Sequence, residues 1–361
     1  MKFDCIVLGA GMVGVSVALH LQARGRSVAL VDRRGPAEET SHGNAGIIQR
    51  EGVVPYMFPR QWSTIFKYAL NNTSEAYYQL SSLPQIAPWL FRYWRHSTPE
   101  GELASTRAML PLVERCISEH EPLLEEAGLM GLVRRTGYMR VYRSQAALDV
   151  ARVKDGAVKA EYGINHDMLD AKGVEALEPH LSEAIVGAVH FTDPISVSDP
   201  GAVGRGYADL LVKRGGRLLE GEARTLEAIA GGYKVATRGG WAEAREVVVA
   251  LGPWAGELLR IQGIKVPLGS KRGYHMHYHA EGNATLSRPI IDAERGYCIT
   301  PMQRGIRLTT GAEFAARDAP GVTGAAWPRG KRPRTRSFRW ATGWMTRRGS
   351  AGVLACPTWY R

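Results

Sequence analysis

Residues 3–14 read Phe-Asp-Cys-Ile-Val-Leu-Gly-Ala-Gly-Met-Val-Gly. The first six form a short apolar run suited to a buried parallel strand. Glycines at 9, 11 and 14 follow at once in the spacing G-x-G-x-x-G. Residues 12–24 carry helical periodicity, with Val13, Val17 and Leu21 recurring on one face, and Gly25 closes the helix. Residues 27–31 make a second apolar strand, with Asp32 at its end. A lone G-x-G-x-x-G is weak evidence. Strand, glycines, helix, strand and terminal acid in this order specify a dinucleotide-binding unit.

Each part of that unit has a physical task. Gly9 permits the tight turn, Gly11 lets the backbone approach a pyrophosphate, and Gly14 lets the helix pack closely on the sheet. Ala10, Met12 and Val13 complete the expected cofactor contact, because a helix N-terminus offers unpaired N–H groups and partial positive charge to phosphates. Asp32, 18 residues after Gly14, is placed to accept hydrogen bonds from a ribose diol. Arg33 and Arg34 follow it. They leave a 2′-phosphate formally open, the alternative being solvated surface arginines.

Working outward, 361 residues with 45% apolar and 22% charged content describe an ordinary globular enzyme of one large or two intimate domains. No run of 18 uninterrupted apolar residues exists to suggest a membrane-spanning helix. The N-terminal apolar run superficially resembles a secretion signal, but its three glycines fit the cofactor turn better. Cys5, Cys116, Cys298 and Cys356 show no C-x-x-C spacing, so they read as thiols in a reducing, cytoplasmic compartment and not as a metal or redox pair. The net charge of +11 is uneven. Residues 321–361 hold nine Lys/Arg and no acid, leaving +2 for the first 320. The basic pI therefore describes a tail, which argues against a nucleic-acid-binding surface.

Residues 40–48 read Thr-Ser-His-Gly-Asn-Ala-Gly-Ile-Ile, a small, polar, glycine-bearing loop of the kind whose backbone lies against a ligand. Together with the opening unit, this loop resembles that of FAD-dependent amino-acid oxidoreductases, most closely the bacterial D-amino-acid dehydrogenase small-subunit type. Weaker matches follow at residues 215–223, 247–254, 267–275, 295–297 and 309–313. The resemblance covers roughly residues 1–319. It implies a Rossmann-type FAD-binding domain with an inserted α+β substrate domain. The FAD domain would comprise 1–60, 187–265 and a C-terminal piece, and the substrate domain 61–186 and 266–315. It also implies FAD contacts from Ser41, Gly43, Asn44, Ala45, Gly46, Ala223 and Gly252. The activity implied is oxidative deamination of D-amino acids to 2-oxo acids and ammonia by hydride transfer from Cα to flavin N5. Related glycine, sarcosine or hydroxyproline oxidoreductases on the same fold, or an inactive truncated remnant, are the alternatives.

Binding an amino-acid carboxylate calls for an arginine fork or a tyrosine hydroxyl. In the family context Arg272, Tyr274 and Tyr297 are the catalytic candidates, with Arg304 and Arg307 in reserve and His42 and His275 as possible bases. His275, His277 and His279 alternate along an expected strand, but no Cys or carboxylate partner lies nearby, so no metal site is expected. Wider-superfamily oxidases place an arginine directly after a proline in the matching strand; here that position is Met302, which fits the dehydrogenase branch. Asp199-Pro200 reads as a helix N-cap with proline at the first position. Residues 105–129 read as a helix on a sheet. Residues 89–96, aromatic and basic, suit either a helix packed on the core or contact with an anionic membrane surface. The family implies a quinone or electron-transfer chain as electron acceptor, and peripheral contact with the inner face of the plasma membrane.

The tail departs from the family pattern, which should continue past Pro320 with W-x-G-x-R-P-x-x-P-D and a glycine-rich stretch capping the flavin. Four tryptophans and nine basic residues stand there instead. Back-translated with permitted codons and read from the third base of the Thr335 codon, residues 336–361 can spell E-V-F-P-L-G-D-R-L-D-D-A-A-W-L-G-R-R-P-C-L-P-D-M-V-P. That string is similar to the missing segment. The expectation is that residues 321–361 are out of frame and loosely packed, with flavin binding or activity weakened.

Overall fold

The computed structural model describes residues 1–71, 76–181, 184–280, 282–321 and the short strand Gly343–Trp344. Expectations for the rest of the 321–361 tail and for Cys356 lie outside the described residues.

The opening unit folds as its sequence dictates. Lys2–Leu8 and Val28–Asp32 are parallel neighbours joined by the helix Met12–Ala23. Arg217–Glu220 adds on one side, with Glu220 beside Asp32. Gly240–Val249 adds on the other, with Val249 beside Leu8. Gly232–Thr237 and Glu227–Ile229 complete a six-stranded sheet by antiparallel pairing. Its central strands are buried on both faces. Cys5, Val7 and Leu30 meet Val15, Leu19, Val203 and Tyr207, while Ile6, Leu8 and Val31 meet Val235 and Leu258. Continuous apolar strands of this kind suit only a doubly covered sheet. The helix Pro200–Lys213 supplies part of the cover, and Asp199 Oδ1 caps it by accepting from Ala202 N at 2.9 Å.

A second sheet of eight strands runs in the order Gly343–Trp344, His275–Tyr278, Gly305–Thr309, Tyr297–Met302, Ile290–Asp292, Tyr138–Tyr142, Gly187–Phe191, His166–Asp170. One expected boundary needs correction here. Gly187–Phe191, expected in the cofactor domain, is hydrogen-bonded between Tyr138–Tyr142 and His166–Asp170. The return to the cofactor sheet therefore comes after this strand. The helical stretch at 105–129 is two helices, Pro99–Glu114 and Cys116–Glu126.

Strand alternation sorts the second sheet into two faces. Met139, Ile290, Ile299 and Leu308 are lateral neighbours and belong to an apolar core with Val141 and Tyr297. The residues between them, including Tyr138, Thr300, Arg307 and His277, share the opposite face. Two three-stranded sheets tie the halves together. One pairs Ile47–Ile48 with Ile195–Val197 and then Val133–Arg134. The other pairs Lys271–Arg272 with Ala312–Phe314 and then Ala76–Tyr78.

Candidate active site

The phosphate turn has almost no spare room on its protein side. Gly9 has φ +101°, and a Cβ there would stand 2.5 Å from the Ala250 carbonyl oxygen. A Cβ at Gly14 would stand 1.8 Å from the Gly9 oxygen. At Gly11 it would meet only Ser41 Oγ, at 3.4 Å, so the backbone here stays open to a close approach. Met12 N donates to Ser41 Oγ at 3.0 Å, and no side chain of Gly11 can cap the helix. The remaining first-turn N–H groups of Met12–Ala23 are donors for a phosphate. Asp32 Oδ2 accepts from Ala10 N at 2.8 Å, and Oδ1 accepts from Arg34 N and Gly35 N at 2.8 and 3.1 Å. A carboxylate offers about four acceptor positions, which leaves capacity for a ribose hydroxyl. Arg33 pairs with Glu39 at 3.0 Å and lies over Trp254 at 4.8 Å, and Arg34 also pairs with Glu39. That engagement favours the unphosphorylated ribose. Ala223 opens a short 3-10 turn against the cofactor-domain core, and Gly252, with φ +54°, opens another after Gly240–Val249.

The second loop is braced from inside and from across the interdomain space. Asn44 Nδ2 donates to Ser41 O at 3.0 Å, and Gly46 N donates to Asn44 Oδ1 at 2.8 Å. Gly46 has φ +70°, and a Cβ there would meet Val197 O at 2.4 Å. At Gly43 it would strike His275 Cδ2 at 2.5 Å, so the loop lies directly against the second sheet. Met302 also reaches it, its Cε 3.5 Å from the Cβ position of Gly46. Ala45 lies in the same loop, partly buried.

Arg307 is the strongest link between loop and sheet. Its Nη1 donates to the carbonyls of His42 and Asn44 at 3.1 and 2.7 Å, and its Nε donates to His277 Nε2 at 3.3 Å. The side chain is buried and has no ion pair to a carboxylate among the described residues. Burial lowers its pKa to about 10, and the nearby Arg304 adds to the effect. His275 and His277 are held neutral, each lowered to about 4 by burial first and then by Arg307. Neutrality is what lets His277 Nε2 accept the Arg307 N–H. On this face His275 Nδ1 and Thr300 Oγ1 are buried without hydrogen-bond partners; on the loop, so is His42 Nδ1, which lies against Gly201. Buried polar atoms ordinarily find partners, so this face is prepared for a polar ligand.

The three catalytic candidates do not assemble on that face. Arg272 is buried beside Glu313 at 3.1 Å and bonds Tyr274 Oη at 3.0 Å and the Ala316 and Ala319 carbonyls. Tyr274 in turn donates to Glu313 at 2.5 Å. Arg272 and Tyr274 are thus joined in one buried network around Glu313, in which Arg272 Nε lies at ion-pair distance from Glu313 but makes no hydrogen bond. Tyr297 sits on the apolar face, in the core with Ile299 and Leu308. Sequence reading missed Tyr138 and Thr300, whose placement depends on sheet register, and Glu51, which lies on the turn that follows Ile47–Ile48. His275 and His277 share a face as expected, and the described residues contain no metal-ligand cluster.

A glycine turn against a helix N-terminus, an acid at the end of the second strand and a polar sheet face against a second loop are the features expected of a dinucleotide-binding oxidoreductase. The chain belongs to the family described as DAO, FAD dependent oxidoreductase, whose model matches residues 4–341. Its cofactor is FAD. It is 30% identical to a D-amino acid dehydrogenase of Phenylobacterium zucineum over 87% of this chain and 75% of that one. It is 27% identical to a D-amino-acid oxidase of Bradyrhizobium diazoefficiens over the same shares. Among solved structures, glycine oxidase from Bacillus cereus superposes with TM-score 0.64 at 21% identity, covering 95% of this chain and 82% of that one. The fold therefore agrees with the expected α/β arrangement of a Rossmann-type domain and an inserted substrate domain.

Proposed function

We propose that the chain oxidises D-amino acids, yielding an imino acid that water converts to a 2-oxo acid and ammonia. The observation that carries this reading is the enclosed polar face of His275, His277, Thr300 and Arg307 against the loop 41–46. A small zwitterion suits such a face, and a long apolar substrate does not. The names of the curated relatives support the same substrate class.

FAD, when bound, supplies the acceptor for the two electrons and hydrogen that leave the substrate Cα. Everything else falls to the chain. Gly9, Gly11, Gly14 and the helix N-terminus hold the pyrophosphate end, and Asp32 holds the ribose. Arg307 presents positive potential to the substrate carboxylate, the task first sought in Arg272, Tyr274 and Tyr297. His275 and His277, kept neutral, add no competing charge.

A respiratory acceptor such as a quinone, reached at a membrane surface, belongs to the same proposal. The helix Trp62–Ala69 buries none of its residues, and Trp62, Phe66, Phe91 and Tyr56 are exposed near Arg60, Lys67 and Arg92. No helix among the described residues is long and apolar enough to cross a membrane. Turnover with a soluble quinone analogue but not with oxygen, under D-amino acid, tests both substrate and acceptor. Activity confined to L-amino acids would overturn the substrate assignment.

A further inference from the structure

Four residues from separate strands stand in one row across the eight-stranded sheet. Thr300 is the lateral neighbour of Arg307, which neighbours His277. Residue 289 extends the row from Thr300 to Tyr138, as the registers Ile290↔Ile299 and Ile290↔Met139 require. The segment from His42 to Glu51 meets this row at two points. It begins at Arg307, through the His42 and Asn44 carbonyls, and reaches Tyr138 with Glu51.

Glu51 has an unusual setting for a carboxylate. Gln49 Nε2 donates to its Oε1 at 2.9 Å, while Oε2 is buried with no partner. The Tyr138 hydroxyl approaches closely enough to favour the ionised form, without a hydrogen bond that satisfies Oε2. The charged groups facing Glu51 are few. Arg140 stands on the same strand as Tyr138 and is tied to Asp155 of the helix Gln145–Tyr162. Cys116, at the start of Cys116–Glu126, lies near enough to feel the Glu51 charge, and Arg50 and Tyr56 lie on its own loop, Arg50 leaning to Glu114 at 3.7 Å. Glu51 thus has no ion pair among the described residues.

We propose that Glu51 is the group that receives the substrate ammonium and takes its proton. The inference rests on the amino-acid reading above. An N–H bond of the ammonium breaks and an O–H bond forms on Glu51. The electron pair stays on nitrogen, leaving the neutral amine from which Cα oxidation can proceed. Glu51, Tyr138 and Thr300 lie on the face that carries Arg307, whose positive charge adds favourable potential for the carboxylate from farther along the row. Burial raises the Glu51 carboxyl to about 6, against the pull of Tyr138 and Arg140. It is therefore ionised, and able to accept, at neutral pH.

The test is the pH profile of kcat/KM for anaerobic flavin reduction by a D-amino acid, in wild type, Glu51→Gln and Tyr138→Phe. Wild type should lose activity below an inflection near pH 6. Glu51→Gln should fall about 100-fold at neutral pH, lose that inflection and recover only as the solution becomes alkaline enough to deprotonate the amine. It should retain the oxidised flavin spectrum and its affinity for a carboxylate lacking an amine, read by spectral perturbation with benzoate. Tyr138→Phe should move the inflection upward, which keeps the test available even if Glu51→Gln fails to fold. A Glu51→Gln profile parallel to wild type, or an unmoved inflection in Tyr138→Phe, would overturn the role. If wild type itself is not reduced by any D-amino acid, the substrate reading fails instead.

Discussion

Arg307 and Tyr138 stand in the same row of the eight-stranded sheet, three strand spacings apart, or about 14 Å. One loop spans both, with the His42 and Asn44 carbonyls on Arg307 and Glu51 toward Tyr138. The loop that the sequence marks as cofactor-facing is therefore held by residues of the substrate sheet. On the proposed reading, a change at Arg307 is expected to affect both cofactor binding and the substrate pocket.

Arg307→Met should weaken both. It leaves the His42 and Asn44 carbonyls without their donor, and each buried unpaired group costs about 1–3 kcal/mol. Stability in urea should drop by about 2 kcal/mol or more, and the FAD dissociation constant should rise at least roughly tenfold. Fluorescence titration with FAD measures the second effect. An affinity equal to wild type would show that the clamp does not order the loop.

Gly14→Ala should abolish flavin binding. Its methyl group would lie 1.8 Å from the Gly9 carbonyl oxygen, and neither backbone can retreat without opening the turn. Gly163→Ala is the contrasting variant. Gly163 has positive φ, unlike Gly14, but nothing stands within 4 Å of its Cβ position, so Gly163→Ala should cost about 1 kcal/mol of stability and leave flavin binding intact. Paired absorbance spectra of the purified variants check both outcomes.

Glu313→Gln removes one partner from the buried Arg272 pair, in which both side chains are almost fully enclosed. Loss of one partner in such a pair costs about 3–5 kcal/mol. The expected phenotype is a lower melting temperature, with no change in the pH inflection of flavin reduction. A variant as stable as wild type whose KM for D-amino acid rises sharply would return Arg272 to the substrate site.

Acid should destabilise the chain through His275 and His277. Their folded pKa values lie near 4, below the ordinary 6.5. Between these values the unfolded chain binds more protons, so stability falls as pH drops from about 6.5 toward 4. Glu51 works in the opposite sense. Raised to about 6 from 4.5, it takes up a proton in the folded state first and offsets part of the loss between pH 6 and 4.5. Urea midpoints of a His275→Asn, His277→Asn double variant should depend less on pH across this window than those of wild type. An equal dependence would place the acid sensitivity elsewhere.

Much of the cofactor half was legible because its signals are local. Apolar residues 3–8 form Lys2–Leu8, the glycines bound the helix Met12–Ala23, and Asp199 caps Pro200–Lys213 as its spacing requires. The substrate face was less legible because it depends on pairings far apart in sequence. Tyr297 and Thr300 lie on opposite faces of one strand, and the stretch Tyr-Cys-Ile-Thr-Pro-Met gives little polar alternation to say which face meets the ligand. Arg272 looked available until Glu313, 41 positions on, was placed beside it. Arg307, held in reserve at first, takes the prominent place because its register sets it opposite the loop. Gly187–Phe191 was misassigned for a similar reason: its two partners, Tyr138–Tyr142 and His166–Asp170, are non-local.

The central claim is tested most directly by the visible spectrum of the purified chain with FAD, under anaerobic conditions, before and after addition of D-alanine and other D-amino acids. The account predicts a bound flavin whose absorbance bleaches with the D-enantiomers and stays unchanged with the L-enantiomers. A bound flavin that no D-amino acid reduces, but that glycine, sarcosine or an L-amino acid does, would contradict it.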